Sequence, residues 1–335
     1  MTPIRAIRAG KPAYYPDQTI YAEYAAGVLG LGFAELDGGT GLIFEVTGAG
    51  RRAAFGAGRG SFFPQNTATA ATLANDKHMA NVLMARAGLS TLGGDYFFLH
   101  DRHKAHRPPG HERPDALAYF NSLNDHAFIK PLNGSRGDFA QIVIGLDDLT
   151  QYLQSVERHY DAILIQPVRS GPEYRVFVLD DEIVYCVSKL GPAVTGDGRT
   201  SVRELIAAQQ PPMEARGVSA APLDPLSGKA DYVLERGEQF FLFGRNNLSA
   251  GGRMAFEEPS NAETVFAAAR NALKALGLRA AGVDLFVRAF DDTEPLRIIE
   301  VNANPSIRFL EDSGRADLIL RIWRHTFTSL GLIDV

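Results

Sequence analysis

Arg297-Ile298-Ile299-Glu300-Val301-Asn302-Ala303-Asn304-Pro305-Ser306 is the stretch that decides how this chain is read. An apolar run of the buried kind ends in Glu, Val, Asn, and the two-residue period of a strand sets Glu300 and Asn302 on one face. A carboxylate beside an amide carbonyl is a pair of hard oxygen donors, the kind Mg2+ takes while it also holds phosphate oxygens. Asp284, inside Ala281-Gly282-Val283-Asp284-Leu285-Phe286-Val287, is the third candidate ligand. A carboxylate among such apolar neighbours is costly to bury unpaired, and a shared cation offsets that cost. The same residues would also suit an ordinary strand-end turn, where Asn and Asp are common, so the strand alone leaves both readings open.

Upstream, two lysines stand at positions suited to phosphate. Asn75-Asp76-Lys77 opens a helical segment, and Phe128-Ile129-Lys130-Pro131 ends a strand ahead of Asn133-Gly134-Ser135-Arg136-Gly137. A strand, a Lys and a Gly/Ser loop can cradle phosphate, because small residues let backbone N–H groups approach the oxygens. It is not a P-loop, since no Gly, four residues, Gly-Lys-Ser/Thr string occurs. Taken singly, a Lys is more often an ordinary solvated side chain. Between two further strands lies Gln166-Pro167-Val168-Arg169-Ser170-Gly171-Pro172-Glu173-Tyr174-Arg175, a Pro/Gly link that could be a hinge where an adenine lies against backbone. Glu173 and Arg175, two apart at a strand start, can face one site, one toward ribose hydroxyls and the other toward an anion. Out of context such a pair is more often a surface ion pair.

Periodicity predicts helices over residues 17–29, 66–87, 146–159, 262–276 and 317–327, the second stopping at Gly88. It predicts strands over 41–47, 96–99, 127–130, 141–144, 162–166, 174–179, 182–188, 282–287 and 296–301, with Asp180-Asp181 as a hairpin turn. Two eye-catching segments read as ordinary. His100, His103, His106 and His111 lie among Arg102, Lys104, Arg107 and a Pro pair, which favours an exposed basic loop over a transition-metal site. The Gly-rich stretch 48–60 lacks the helix a dinucleotide fingerprint requires, so a loop or hairpin is expected.

With 335 residues, the chain has room for two or three packed units of roughly 150 residues each. Hydrophobic residues at 45% and charged residues at 22% exclude a disordered or fibrous chain. Cys186 is the single cysteine, so neither an intrachain disulfide nor a thiolate zinc site can form, and a reducing compartment is expected. The basic start has no apolar h-region behind it and no run of about 20 apolar residues follows, so a soluble cytoplasmic protein without a membrane partner is expected. The formal charge of −5 argues against a nucleic-acid partner held by bulk electrostatics.

In order and spacing, Asn-Asp-Lys at 75–77, Ile-Lys-Pro with its Gly loop, Ser-Gly-Pro-Glu-Tyr-Arg, Gly-Val-Asp and Glu-Val-Asn-Ala-Asn-Pro resemble the ATP-grasp ligases, from about Asn66 to the C-terminus. Gly196-Asp197-Gly198-Arg199-Thr200-Ser201-Val202-Arg203-Glu204-Leu205-Ile206 and Asn247-Leu248-Ser249-Ala250-Gly251-Gly252 are similar to the ATP-grasp region of cyanophycin synthetases and of fused bacterial glutathione synthetases. The resemblance implies an α/β (α+β) ATP-grasp fold: an N-terminal α/β domain at 1–75, a linking helix and central lid at 76–167, and a C-terminal ATP-grasp domain at 168–335, with nucleotide between the last two. Carried over residue by residue, Lys77 and Lys130 would contact ATP phosphates and adenine, Gly134, Ser135 and Gly137 would fold over the triphosphate, Gln166 and Val168 would border the adenine, and Glu173 would hold the ribose. Asp284, Glu300 and Asn302 would ligate two Mg2+, or Mn2+ in their place, with Glu300 as the bridge. Arg175, Lys189, the 247–252 loop and Arg253 would face the γ-phosphate and substrate carboxylates, and Asn304 the acyl phosphate.

The activity so implied is ATP-dependent carboxylate–amine ligation through an acyl phosphate, releasing ADP and phosphate, on amino-acid or short peptide substrates. A homodimer stays open. A stand-alone glutathione-synthetase-type ligase and a non-catalytic ATP-binding module are the alternatives. Two departures stand out: Gln166 occupies a hinge position often held by Glu, and Lys189 stands where the nearest relatives tend to have Arg, a point charge in place of a bidentate fork. The second ATP-using unit of cyanophycin synthetase and the separate N-terminal ligase of the fused glutathione enzymes do not accompany this sequence, so polymerisation of cyanophycin by this chain alone is not expected.

Overall fold

In the computed structural model, residues 3–56, 62–134, 137–214, 228–241, 252–288 and 296–334 are described. Helices α1 (Pro3–Ala9) and α2 (Asp17–Val28) precede an antiparallel meander of β1 (Gly32–Glu35), β2 (Ile43–Gly48) and β3 (Arg51–Gly56). Next come α3 (Ala68–Asn75), α4 (Lys77–Arg86), β4 (Asp95–Phe98), α5 (Arg113–Ser122), β5 (His126–Pro131), β6 (Gln141–Ile144), α6 (Leu146–Val156) and β7 (Ala162–Pro167). The hairpin β8 (Glu173–Leu179) and β9 (Glu182–Leu190) is followed by β10 (Ala193–Thr195), α7 (Val202–Glu214) and β11 (Gln239–Phe241). The chain closes with β12 (Arg253–Phe256), α8 (Ala262–Leu276), β13 (Ala280–Phe286), β14 (Arg297–Asn302), α9 (Arg308–Asp312) and α10 (Ala316–Ser329).

Two antiparallel sheets frame the site: a five-stranded one in the order β12-β9-β8-β13-β14 and a four-stranded one in the order β4-β7-β5-β6. On one face of the larger sheet, Tyr174, Val176, Val178, Val283, Leu285 and Val301 are buried together with residues of α3, α4 and α8. The amphipathic α8 ends at Gly277, whose φ of 71° is the left-handed cap conformation that glycine adopts without strain. The opposite face changes character along its length. At one end Phe177, Leu179, Tyr185, Val187 and Ala280 pack with α2, α9 and α10, where Trp323 lies near the stacked Phe44 and Phe55. At the other end, the same alternation presents Glu173, Arg175, Lys189, Asp284, Glu300 and Asn302.

Helix 262–276 has the predicted bounds, and Asp180 takes a positive φ of 51° in the β8–β9 turn. The Gly-rich stretch forms the β2–β3 hairpin as far as Gly56. The single helix predicted over 66–87 is wrong: Asp76 is extended at φ −85°, ψ 109° and ends α3. Its carboxylate accepts from the His78 and Met79 backbone N–H groups at 3.0 and 2.9 Å, which caps α4. A short carboxylate that satisfies the donors of a new helix outcompetes one more turn of the old one, while apolar periodicity runs through unchanged.

Candidate active site

Strand register builds the charged rail. Asp284 lies opposite Glu300 on β14 and Arg175 on β8, Gly282 lies opposite Asn302, and Glu173 lies opposite Lys189. Directly paired residues of antiparallel strands share a face, so six strand positions deliver their side chains to one surface. A bulge between Asp284 and Leu285 pairs Leu285 with Ile298 and leaves Ile299 as the extra residue on β14. The bulge lets Ile298 and Val301, three apart, both enter the apolar core, with Glu300 and Asn302 turned to the charged side. Gly282 keeps the rail's centre open: a Cβ there would stand 3.2 Å from the Pro305 ring and 3.6 Å from Arg175 Cδ.

Asp284, 1% exposed, is the hub. Arg175 donates to both its oxygens, Nε to Oδ1 at 2.6 Å and Nη2 to Oδ2 at 2.7 Å, and Lys189 Nζ donates to Oδ2 at 3.0 Å. Lys189 Nζ also bonds Glu173 Oε1. Burial disfavours the Asp284 carboxylate, but Arg175 and Lys189 outweigh it and hold the carboxyl well below the usual range. The Asn302 amide donates to Glu300 Oε1 at 3.1 Å. Burial and Asp284 both work against ionisation of Glu300, yet Lys130, Lys77 and Lys189 together keep its carboxyl lowered.

Lys130 approaches from the other sheet, and Lys77 from the start of α4. Lys130 is buried at the end of β5, and burial pushes its ammonium down to about 8 while Glu300 pulls the other way. Lys77 is the first residue of α4, and its Nζ donates to the carbonyls of Gly134 at 2.6 Å and Leu132 at 3.3 Å. Burial lowers it also, against Glu300 and Asp76. Lys77 thus fixes the near side of the glycine loop, and Tyr152 fixes the far side by donating its hydroxyl to the Phe139 carbonyl at 2.8 Å. Gly137, at φ 72°, starts the turn back to Ala140. Ser135 lies outside the described residues, as do 242–251, which contain most of the 247–252 loop.

Gln166 is fully buried at the end of β7, donates Nε2 to the Gly93 carbonyl at 2.6 Å and leaves Oε1 without a partner among the described residues. Val168 follows it, half-buried. The crossing that ties this strand to β14 was not among the residues singled out from sequence. Ile298 N–H donates to Ser90 and Leu92 N–H to Ile298, and Gly93 and Gly94 then pass over β7. At Gly94, φ 99°, a Cβ would lie 2.4 Å from the Ile165 carbonyl, so the Gly-Gly pair was the available signal. Arg253 is exposed at the start of β12, and Asn304 is exposed two residues beyond β14. His100, His103, His106 and His111 are half-buried or exposed around a short 3-10 turn; His111 stacks on Tyr96 at 4.1 Å.

A divalent cation fits this donor chemistry in part. Asp284, Glu300 and Asn302 supply hard oxygens at adjacent register positions. Among the described residues no three His, Cys, Asp or Glu side chains form a metal cage of their own, so a cation here would complete its shell with the amide and with oxygens brought by a ligand.

Fold and motif order together define the class: the chain has the ATP-grasp fold, and its resemblance to the ATP-grasp carboxylate–amine ligases is borne out by comparison with known proteins. No family model matches it. It is 28% identical over 228 residues to the glutathione biosynthesis bifunctional protein GshAB of Enterococcus faecalis, covering 60% of this chain and 30% of that protein. It is 27% identical over 265 residues to the cyanophycin synthetase of Geminocystis herdmanii, covering 70% of this chain and 28% of that one. The chain therefore spans less than a third of the length of these relatives. Among solved structures, a bifunctional glutathione synthetase from Pasteurella multocida aligns with TM-score 0.56 and 19% identity, over 91% of this chain and 43% of that one. D-alanine–D-alanine ligase from Bacillus anthracis aligns with TM-score 0.50 and 15% identity, over 79% and 71%. Among the described residues no helix is long and apolar enough to cross a membrane.

Proposed function

We propose that the chain is an ATP-dependent carboxylate–amine ligase that joins amino-acid or short peptide substrates through an acyl phosphate, releasing ADP and phosphate. The observation that carries this reading is the convergence of Lys130, from the four-stranded sheet, and Lys77, from the start of α4, on Glu300 of the five-stranded sheet, beside the Arg175–Asp284–Lys189 network. Lysines held away from water suit a polyanion, and the relatives named above include amide-forming synthetases. In this reading Lys77 and Lys130 hold phosphate oxygens, Gly134, Ser135 and Gly137 cover them, Gln166 and Val168 border the adenine, and Glu173 meets the ribose. Asp284, Glu300 and Asn302 would hold Mg2+, which supplies charge neutralisation for phosphoryl transfer. Arg175, Lys189 and Arg253 orient the substrate carboxylate and the transferring phosphoryl group, and Asn304 meets the acyl phosphate. Rate enhancement then comes from positioning and charge, with no protein nucleophile; the buried Cys186, whose thiol burial pushes up to about 12, takes no part.

Incubation with ATP, Mg2+ and pools of amino acids and short peptides should release ADP, and hydroxylamine should trap a hydroxamate of the true acid. AMP and pyrophosphate as the sole nucleotide products would overturn the mechanism. Nucleotide binding with no turnover on any pool would favour a non-catalytic ATP-binding module, and exclusive addition of glycine to a γ-glutamyl dipeptide would identify a glutathione-synthetase-type ligase.

A further inference from the structure

We infer that Arg175 and Lys189 keep Asp284 closed to a divalent cation until nucleotide is bound, so that the site takes metal with or after the nucleotide and never before it. The inference rests on the ligase reading above. Both oxygens of Asp284 are occupied by three charge-assisted hydrogen bonds, two from Arg175 and one from Lys189, at 2.6, 2.7 and 3.0 Å. These bonds take three of the carboxylate's roughly four acceptor sites, so a cation there must displace a donor or take the last site, and either way it sits close to fixed positive charge in a buried setting. The remaining donors cannot compensate. Glu300 already accepts from Asn302, and the described residues contain no second acidic cage.

The charge balance points the same way. Among the described residues, Lys77, Lys130, Arg175 and Lys189 offset Asp76, Glu173, Asp284 and Glu300, so the site carries no net negative charge to draw in a free cation, while its buried ammonium groups suit a polyphosphate. A bound triphosphate reverses both terms. Its anionic oxygens give the lysines and Arg175 another partner, and they supply the ligands that the protein lacks. Lys189 is the exchangeable member, since it makes a single bond to Asp284 where Arg175 makes two, and Glu173 gives it a second anchor on β8.

Mn2+ binding to the full chain, followed by loss of the free-ion electron paramagnetic resonance signal, tests this with and without a non-hydrolysable ATP analogue. Wild type should bind Mn2+ alone at least about tenfold more weakly than with the analogue. Lys189→Met should bind Mn2+ alone about tenfold more tightly than wild type, because one opposite charge at this range alters a carboxylate's affinity for a cation by one to three powers of ten. Glu173→Gln with Lys189→Met removes one charge of each sign, keeps the net charge of the site, and should show the same gain. Adding Asp284→Asn to either variant should abolish it. Equal Mn2+ affinity of wild type with and without analogue would overturn the inference and leave the ligase reading standing. So would the absence of any gain in both variants when their melting temperatures match wild type. No protein-bound Mn2+ even with the analogue would remove the metal site itself, and the inference with it.

Discussion

Two buried carboxylates, Glu311 and Asp284, are each held by cations, yet they do different work. Glu311 on α9 accepts from Arg8 Nε at 2.9 Å, Arg8 Nη2 at 2.5 Å and the Tyr21 hydroxyl at 2.9 Å, so its partners come from α1 and α2, about 300 residues away in sequence. Arg8 and Arg308 also share Asp17, which extends the knot. Asp284 takes its cations from β8 and β9, strands of its own sheet whose register the backbone ladder already fixes. Breaking the first network undocks helices, whereas breaking the second leaves the sheet in place and releases charge. The role of a buried ion pair is therefore set by what else holds its elements together.

The largest expected effect tests the functional side of this contrast. Glu300→Gln should lower turnover at least about a thousandfold, as the loss of one charge aimed at a phosphoryl-transfer site does, while the melting temperature stays near wild type. Near-normal turnover would mean that the cation and triphosphate lie elsewhere. On the structural side, Arg8→Ala should cost about 2–4 kcal/mol in denaturant unfolding, because it strands a buried carboxylate, with little change in nucleotide affinity. A loss of affinity greater than the loss of stability would erase the distinction between the two knots.

Lys130 sharpens the contrast through pH. Its ammonium is depressed from 10.5 to about 8 by burial, so the unfolded chain binds this proton across a range where the folded chain does not. Stability should therefore rise with pH between about 8 and 10.5, relative to Lys130→Met, by up to about 3 kcal/mol. Nucleotide affinity has the opposite sign, because the charged form holds phosphate: calorimetric affinity for the ATP analogue should fall as pH climbs past 8. A flat affinity profile over that range would separate Lys130 from the phosphates. The smallest effect concerns the loop between the Lys77 and Tyr152 anchors. Limited proteolysis across 133–139 should slow several-fold with ATP analogue and Mg2+ present, and Lys130→Ala should remove that protection. Equal cleavage with and without nucleotide would sink the proposed cover over the triphosphate.

From sequence alone, strand alternation placed Glu300 beside Asn302 and Asp284 inside an apolar strand, and amphipathic spacing bounded the helix at 262–276, because these depend on local geometry that recurs along one element. The order of the lysine, Gly-loop, Glu-x-Arg and Glu-Val-Asn segments pointed to the fold before any contact was known. What the tertiary structure alone decided is pairing between elements. The bulge at Ile299, the break at Asp76, the passage of Gly93 and Gly94 over β7, and the clamp of Lys77 on the Gly134 carbonyl each depend on a partner far away in sequence or on a cap that competes with periodicity. The closure of Asp284 by Arg175 and Lys189 belongs to the same group: periodicity says which face a charge occupies, and only the register of four strands says which charges meet there.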